Sequence, residues 1–453
     1  MKKILLLLGF LFSILQSSAQ TTITVFDTVL YYDGYASLVN IPTLPAGIIH
    51  HRNDLFARML TTSELQSIGT TLQMNVTIKA SCDNYDRIGN VNMALVPTGA
   101  TTYTPDSVQR IELGRYITPF MNKNSMPDTV PYTYNIDNAT LLMKDTGITN
   151  HYDIWIELEL FGVPYAAQTQ VAGCSGRNDV FYGTLKFVTN NAAPIQNTNV
   201  LIPLAFKKSF NNYQAAATDT IGKTTKTISF NIPNNLTDAA FFLITSNHGA
   251  NTGGEEYNRR DHFVYFDNAL MLTYKPGRPT CEPYRQYNTQ SNGIYGATPR
   301  TNSQWQSFSN WCPGDVISIR RIDLGSVTAG NHNFMIRVPD AIFTGTQGNF
   351  PLSLYFQGKT SGVIAGINEL SVDNSLFTVY PNPASEHVSI ACNDDSQMNE
   401  ITILNLVGEV VLNKKNPSVN TLTIDLADFS PGFYTLSIKT GSGNFARKLE
   451  IFR

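Results

Sequence analysis

The chain reads as an all-β protein: two adjacent antiparallel jelly-roll sandwich domains followed by a small C-terminal Ig-like β-sandwich. Three observations point there. Charged residues make up only 15% and aromatic residues 11% of 453 positions, a balance suited to an exported β-protein rather than a helical cytosolic enzyme. Short β-branched and aromatic runs recur between Gly, Pro and Asn clusters from residue 20 to residue 364, the pattern of sandwiches. Residues 377–453 alternate apolar and polar positions with period two and Gly- or Pro-marked turns, as a half-buried antiparallel sheet requires.

In chain order, residues 1–19 have the form of a signal peptide. Lys2 and Lys3 precede the apolar stretch Ile4–Leu15, and Ser17-Ser18-Ala19 supplies small residues before a cut at Ala19. Residues 20–190 form the first β block, with strands expected at Thr22–Asp27, Thr71–Ile78, Val91–Val96, Ser107–Ile117, Asp153–Leu160 and Phe181–Val188. Its helical candidate is Asn138–Met143. Asn190–Asn199 is polar, carries a proline and reads as a linker. The second block, 191–364, has strands expected at Lys226–Ile232, Ala239–Thr245, His262–Leu272, Asp315–Leu324, Asn331–Arg337 and Pro351–Gln357. Residues 365–376 form a second linker, and 377–453 the small module.

Bulk properties exclude several classes. Net charge is −3 with no Lys/Arg-rich run, so nucleic acid is not an expected partner. No stretch after the leader approaches the roughly 20 apolar residues of a membrane span. Five cysteines, Cys82, Cys174, Cys281, Cys312 and Cys392, include no C-x-x-C, and no metal site is expected. Export permits disulfides. Cys281–Cys312 is the favoured bridge, Cys82–Cys174 an open second pairing, and Cys392 is expected to be a buried free thiol.

Three stretches carry chemistry. Ser81–Asn90 holds Asp83, Tyr85, Asp86 and Arg87 between two apolar-alternating segments. In the strand D-I-W-I-E-L-E-L (153–160), alternation sends Ile154, Ile156, Leu158 and Leu160 to one face and Asp153, Trp155, Glu157 and Glu159 to the other. That second face reads as a ligand surface on which the Trp155 indole stacks against a sugar. Thr245–His262 is a Gly-rich loop with Glu255, Glu256, Tyr257 and paired arginines, and loops on a rigid β scaffold commonly carry function. Trp311, beside Cys312, reads as structural. Acidic groups from three segments suit a metal-free hydrolase, because two carboxylates of separated pKa supply a base for water and an acid for the leaving group. No G-x-S-x-G occurs, which argues against a serine triad.

The motifs C-D-N-Y-D-R (82–87), L-G-R-Y-I-T-P-F (113–120), H-G-A-N-T-G-G-E-E-Y (248–257) and W-C-P-G (311–314) resemble those of the bacterial peptide-N-glycosidase F family. The resemblance spans roughly residues 25–364. It implies two eight-stranded jelly rolls with an active cleft at their interface. It also implies hydrolysis of the amide joining asparagine to the first GlcNAc of N-linked glycoproteins or glycopeptides, with no cofactor. By motif position, the catalytic aspartate falls on Asp86, the supporting glutamates on Glu157 and Glu256, and Arg87 follows the aspartate. Tyr85, Arg87, Trp155 and Tyr257 would contact substrate. Tyr85 and Tyr257 stand where the family carries Trp, and Gly254 and Asn258 where it has a cysteine pair. A non-catalytic glycan-binding surface protein on the same scaffold is the alternative.

The module at 377–453 resembles the type A sorting domain of the type IX secretion system, through Y-P-N-P (380–383), L-V-G-E-V-V (406–411) and P-G-F-Y (431–434). That resemblance implies the type IX machinery as a partner and a secreted or cell-surface location.

Overall fold

The computed structural model describes residues 20–190, 193, 195–250, 253–290, 309–360, 377–392, 397–405, 410–440 and 443–452, with backbone only at 443–446 and 448. The leader, the 365–376 linker and the L-V-G-E part of one sorting motif lie outside these residues. The chain divides into two units, residues 1–361 and 362–453. Among the described residues no helix is long and apolar enough to cross a membrane.

The first unit is built from four antiparallel sheets arranged as two sandwiches. One sheet runs Thr21–Tyr32, Asp179–Thr189, Leu72–Ala80, Thr129–Asn135. The facing one runs Val316–Ile317, Gln109–Ile117, Ile88–Pro97, Tyr152–Leu160, Leu55–Met59, Ile48–Arg52. Between them lies a core of Met74, Val76, Ile78, Met93, Ile156, Leu158 and Phe187, all shielded from solvent. The second sandwich pairs Asn199–Phe210, Phe350–Thr360, Leu236–Ile244 and Arg320–Val327 with Thr225–Ile232, Gly330–Arg337, His262–Phe266 and Ala269–Tyr274. Its core is dominated by phenylalanines, among them Phe230, Phe241, Phe334 and Phe356.

The strand Leu236–Ile244 shows how the sandwiches join. Phe241 and Leu243 enter the second core, whereas the alternate residues Ala240 and Phe242 pack into the first. A strand buried on both faces needs an unbroken apolar run, and A-A-F-F-L-I (239–244) is one. The union is also hydrogen-bonded: Val316 and Ile317, in the second block of the sequence, pair with Tyr116 and Arg115 as an edge strand of the first sandwich's sheet.

Several expected elements change here. The linker expected through Asn199 ends earlier, because Asn199 opens a twelve-residue strand, and Gln196 already bridges to Asp145. His262–Leu272 is a hairpin turning at Asp267 and Asn268, both with positive φ. The strands Ile48–Arg52, Leu55–Met59 and Thr129–Asn135 were not expected. The helix at Asp137–Met143 forms as anticipated.

The second unit is itself a sandwich. Phe377–Tyr380, His387–Cys392 and Thr421–Asp425 form one sheet; Val410–Val419, Met398–Leu404, Gly432–Thr440 and Gly443–Ile451 form the other. Val388, Ile390, Ile401, Ile403, Leu436 and Ile438 are its fully buried core. Cys392 is half-buried, not the fully buried thiol expected.

Candidate active site

Asp86 sits in the connection between strands Leu72–Ala80 and Ile88–Pro97, and Asp83 shapes that connection. The Asp83 carboxylate accepts from Tyr85 N at 3.0 Å and Val163 N at 2.8 Å, and binds Arg87 through Nε at 2.6 Å and Nη2 at 3.2 Å. An aspartate that captures an amide two residues on makes a local turn. On the other side, Thr118 Oγ1 accepts from Arg87 N at 2.7 Å and donates to Tyr85 O at 3.2 Å. The Cys82–Cys174 disulfide clamps the start of the loop. Asp83 is therefore the structural acid, and Asp86 is left to face a cavity.

That cavity holds about 260 Å³ and is lined by Tyr85, Asp86, Arg87, Ile88, Ile117, Phe120, His248, Ala250, Glu256, Tyr257 and Trp311. Its wall thus draws on both sandwiches. Glu256 comes from the loop after strand Leu236–Ile244. Its neighbour Glu255 is buried and forms a two-pronged ion pair with Arg260, at 2.7 and 3.0 Å, while accepting from Ile342 N. Of the two adjacent glutamates, Glu255 anchors the loop and Glu256 enters the cavity. Glu256 Oε2 accepts from Gly249 N at 2.8 Å. A glycine is required there: φ is 135°, and a Cβ would lie 2.5 Å from Gly348 Cα. The Glu256 carbonyl accepts from Ser309 Oγ and Asn310 Nδ2, each at 2.8 Å. The Cys281–Cys312 disulfide secures that neighbouring stretch and packs against Phe120 and Tyr85.

The electrostatics are those of a reactive carboxyl. Burial first, and then the nearby Glu256 charge, push the Asp86 carboxyl up to about 7, despite the adjacent Arg87 guanidinium. Two like charges in a low-dielectric site disfavour double ionisation. Burial also raises Glu256, against the Gly249 amide and the Tyr257 hydroxyl that bind it. A carboxyl titrating near neutrality, beside a second one, suits proton transfer.

Among the expected site residues, the structure brings together Asp86, Glu256, Arg87, Tyr85 and Tyr257. It does not bring Glu157 or Trp155 with them. Glu157 is fully buried and accepts from Tyr103 Oη at 2.8 Å and Asn92 Nδ2 at 2.9 Å, with Arg110 at 3.6 Å. Its cross-strand partner Asn92 lies four strand positions past Ile88, roughly 13 Å along the chain. Trp155 is 4% exposed and packs with Ala57, Ala94 and Val96. The expected sugar-stacking face is therefore a buried layer. Glu159 on that same face is paired with Lys207 of the second sandwich and with Arg52. The alternation was right; Tyr103 and Arg110 over Trp155 and Glu157, with Lys207 on Glu159, are what turned an outer face inward.

Sequence reasoning missed His248 and gave Trp311 only a structural role. Trp311 is buried and donates to Asn247 O at 3.0 Å, yet also lines the cavity. Their proximity to a carboxylate-bearing loop was the available signal.

Fold and site together define a double β-sandwich with a two-carboxylate cavity between its halves. Residues 22–175 match the N-terminal model of peptide-N-glycosidase F, and residues 212–357 its C-terminal model. The chain therefore belongs to the peptide-N-glycosidase F family, and residues 378–451 match the secretion system C-terminal sorting domain. Two crystal structures of PNGF-II have TM-scores of 0.56 and 0.54, each at 18% identity and covering 76% of this chain. This chain covers 66% of PNGF-II. A peptide-N(4)-(N-acetyl-β-D-glucosaminyl) asparagine amidase structure is 16% identical, covering 77% of this chain and 98% of its own, at a TM-score of 0.48. At 18% identity the PNGF-II likeness speaks to the fold. No curated protein matches the chain.

Proposed function

We propose that the chain is a secreted amidohydrolase that cleaves the amide between asparagine and the first GlcNAc of N-linked glycoproteins and glycopeptides. One observation carries the reading: Asp86 and Glu256, a carboxylate from each sandwich, share a single cavity, and the Glu256 charge raises the Asp86 carboxyl. Membership of the family supports the choice of bond.

In this reading Asp86 takes a proton from water as the oxygen attacks the side-chain amide carbon. The C–N bond breaks, the proton passes to the departing nitrogen, and aspartate and a glycosylamine leave. Glu256, held by Gly249 N–H and the Tyr257 hydroxyl, orients the water or the sugar. Tyr85 and Tyr257 offer aromatic surface for sugar faces. Arg87, tied to Asp83, keeps a fixed positive charge at the rim. The steps use side chains and water alone. The leader and the sorting domain would carry the enzyme through the type IX machinery to the cell surface or medium.

The test is incubation of the full chain with a denatured N-glycoprotein. Intact glycan release with conversion of asparagine to aspartate supports the reading. Glycan binding without release would favour the lectin-like alternative, and unchanged release by Asp86→Asn would refute the assignment of Asp86.

A further inference from the structure

The cavity wall contributed by His248 connects to a buried ion pair in the other sandwich. Glu112 and Arg115 are 1% and 0% exposed. Arg115 grips Glu112 through Nε at 2.8 Å and Nη2 at 2.7 Å, and its Nη1 reaches across to Pro351 O at 2.8 Å and Ser246 Oγ at 2.9 Å. Ser246 Oγ in turn lies 2.7 Å from His248 Nε2. Ser246 is 2% exposed. Among the described residues its hydroxyl has only Arg115 and His248 as partners. Arg115 can only donate. The buried Ser246 O–H therefore has His248 Nε2 as its acceptor; otherwise it would be left unsatisfied.

We propose that Ser246 is a positioning residue that fixes His248 as a neutral imidazole with its proton on Nδ1, offering that N–H as a donor in the Asp86–Glu256 cavity. Burial and the Arg115 charge hold the ring neutral, at about 3. Nδ1 makes no hydrogen bond among the described residues, while the ring lines the cavity beside the near-parallel Trp311 ring. Two neighbouring donors are engaged elsewhere: the Tyr257 hydroxyl by Glu256 and Trp311 Nε1 by Asn247 O. An amide oxygen gaining charge during attack needs such a donor. This catalytic part rests on the amidase reading; the tautomer does not.

The experiment is nitrogen-detected NMR of the full chain labelled at histidine, with His248→Gln assigning the signal among the seven histidines. The expected wild-type spectrum shows His248 neutral, protonated at Nδ1 and bare at Nε2. Ser246→Ala should mix the tautomers and lower kcat at least about tenfold with KM held within about twofold. Ser246→Thr should restore both. A wild-type ring protonated at Nε2, or an imidazolium, overturns the proposal, as does an alanine variant with unchanged tautomer or unchanged kcat. An inactive wild type would sink the amidase reading, whereas the spectrum would still decide the tautomer.

Discussion

Asp86→Asn should make the protein more stable at alkaline pH while abolishing turnover. The Asp86 carboxyl titrates near 7 in the folded chain against an ordinary 3.8. A carboxyl raised on folding binds its proton more tightly in the native state, so that native advantage is complete at low pH. It is lost as pH rises from about 3.8 to about 7, where the charge is forced into the cavity. About three pH units at 1.36 kcal/mol each set a ceiling of about 4 kcal/mol. Asp86 is partly open to the cavity, so water and local relaxation bring the expected gain nearer to about 2 kcal/mol. The assay is urea unfolding of wild type and variant from pH 4 to pH 9. The gap should be near zero at pH 4, widen through neutrality and level off above about pH 7. An asparagine variant that is less stable at pH 8, or a gap that ignores pH, would refute the reasoning. That outcome would mean that Asp86 is a structural partner of Arg87.

Three further expectations follow from the same geometry. Glu256→Gln removes the charge that raises Asp86; the acid limb of the kcat/KM profile should move to lower pH, with kcat reduced about 100-fold. Glu157→Gln should keep kcat within a few-fold, because Glu157 is buried outside the cavity. It should nonetheless lower unfolding stability by about 1–3 kcal/mol as the Tyr103, Asn92 and Arg110 contacts weaken. Replacing Cys281 and Cys312 together by serine opens a link across 31 residues, worth about 3–4 kcal/mol by loop closure. Activity should fall with it, since Ser309 and Asn310 hold the Glu256 backbone; calorimetry and turnover check the pair.

Much of the fold was legible because strands announce themselves by period, and turns by glycine and proline. Asp86 was singled out by its place in the C-D-N-Y-D-R motif of the resembled family, and Asp83 proves to be the loop-shaping acid. The adjacent Glu255 and Glu256 could not be separated by pattern, since which one turns inward depends on Arg260 and on the Gly249 amide. Glu157 and Trp155 show the sharper limit. Period two states that a strand has two faces; it does not state what covers each. Here Tyr103 and Arg110 of the same sandwich cover Trp155 and Glu157, and Lys207 of the second sandwich meets Glu159, so a row of carboxylates that looked like a ligand surface became buried and paired. Ala240 and Phe242 carried the hint, in a run too apolar for a one-sided sheet. The Ser246–His248 link was out of reach for a different reason: its other end, Arg115, is 131 positions away in sequence.

The central claim is that Asp86 and Glu256 direct water onto the asparagine side-chain amide. It is tested most directly by digesting an N-glycopeptide in water enriched in heavy oxygen and reading the peptide by mass spectrometry. The account predicts that asparagine becomes aspartate carrying one heavy oxygen, with the whole glycan freed, and that Asp86→Asn yields neither. A peptide that keeps its asparagine and one GlcNAc, or that emerges unaltered from the wild-type protein, would contradict it.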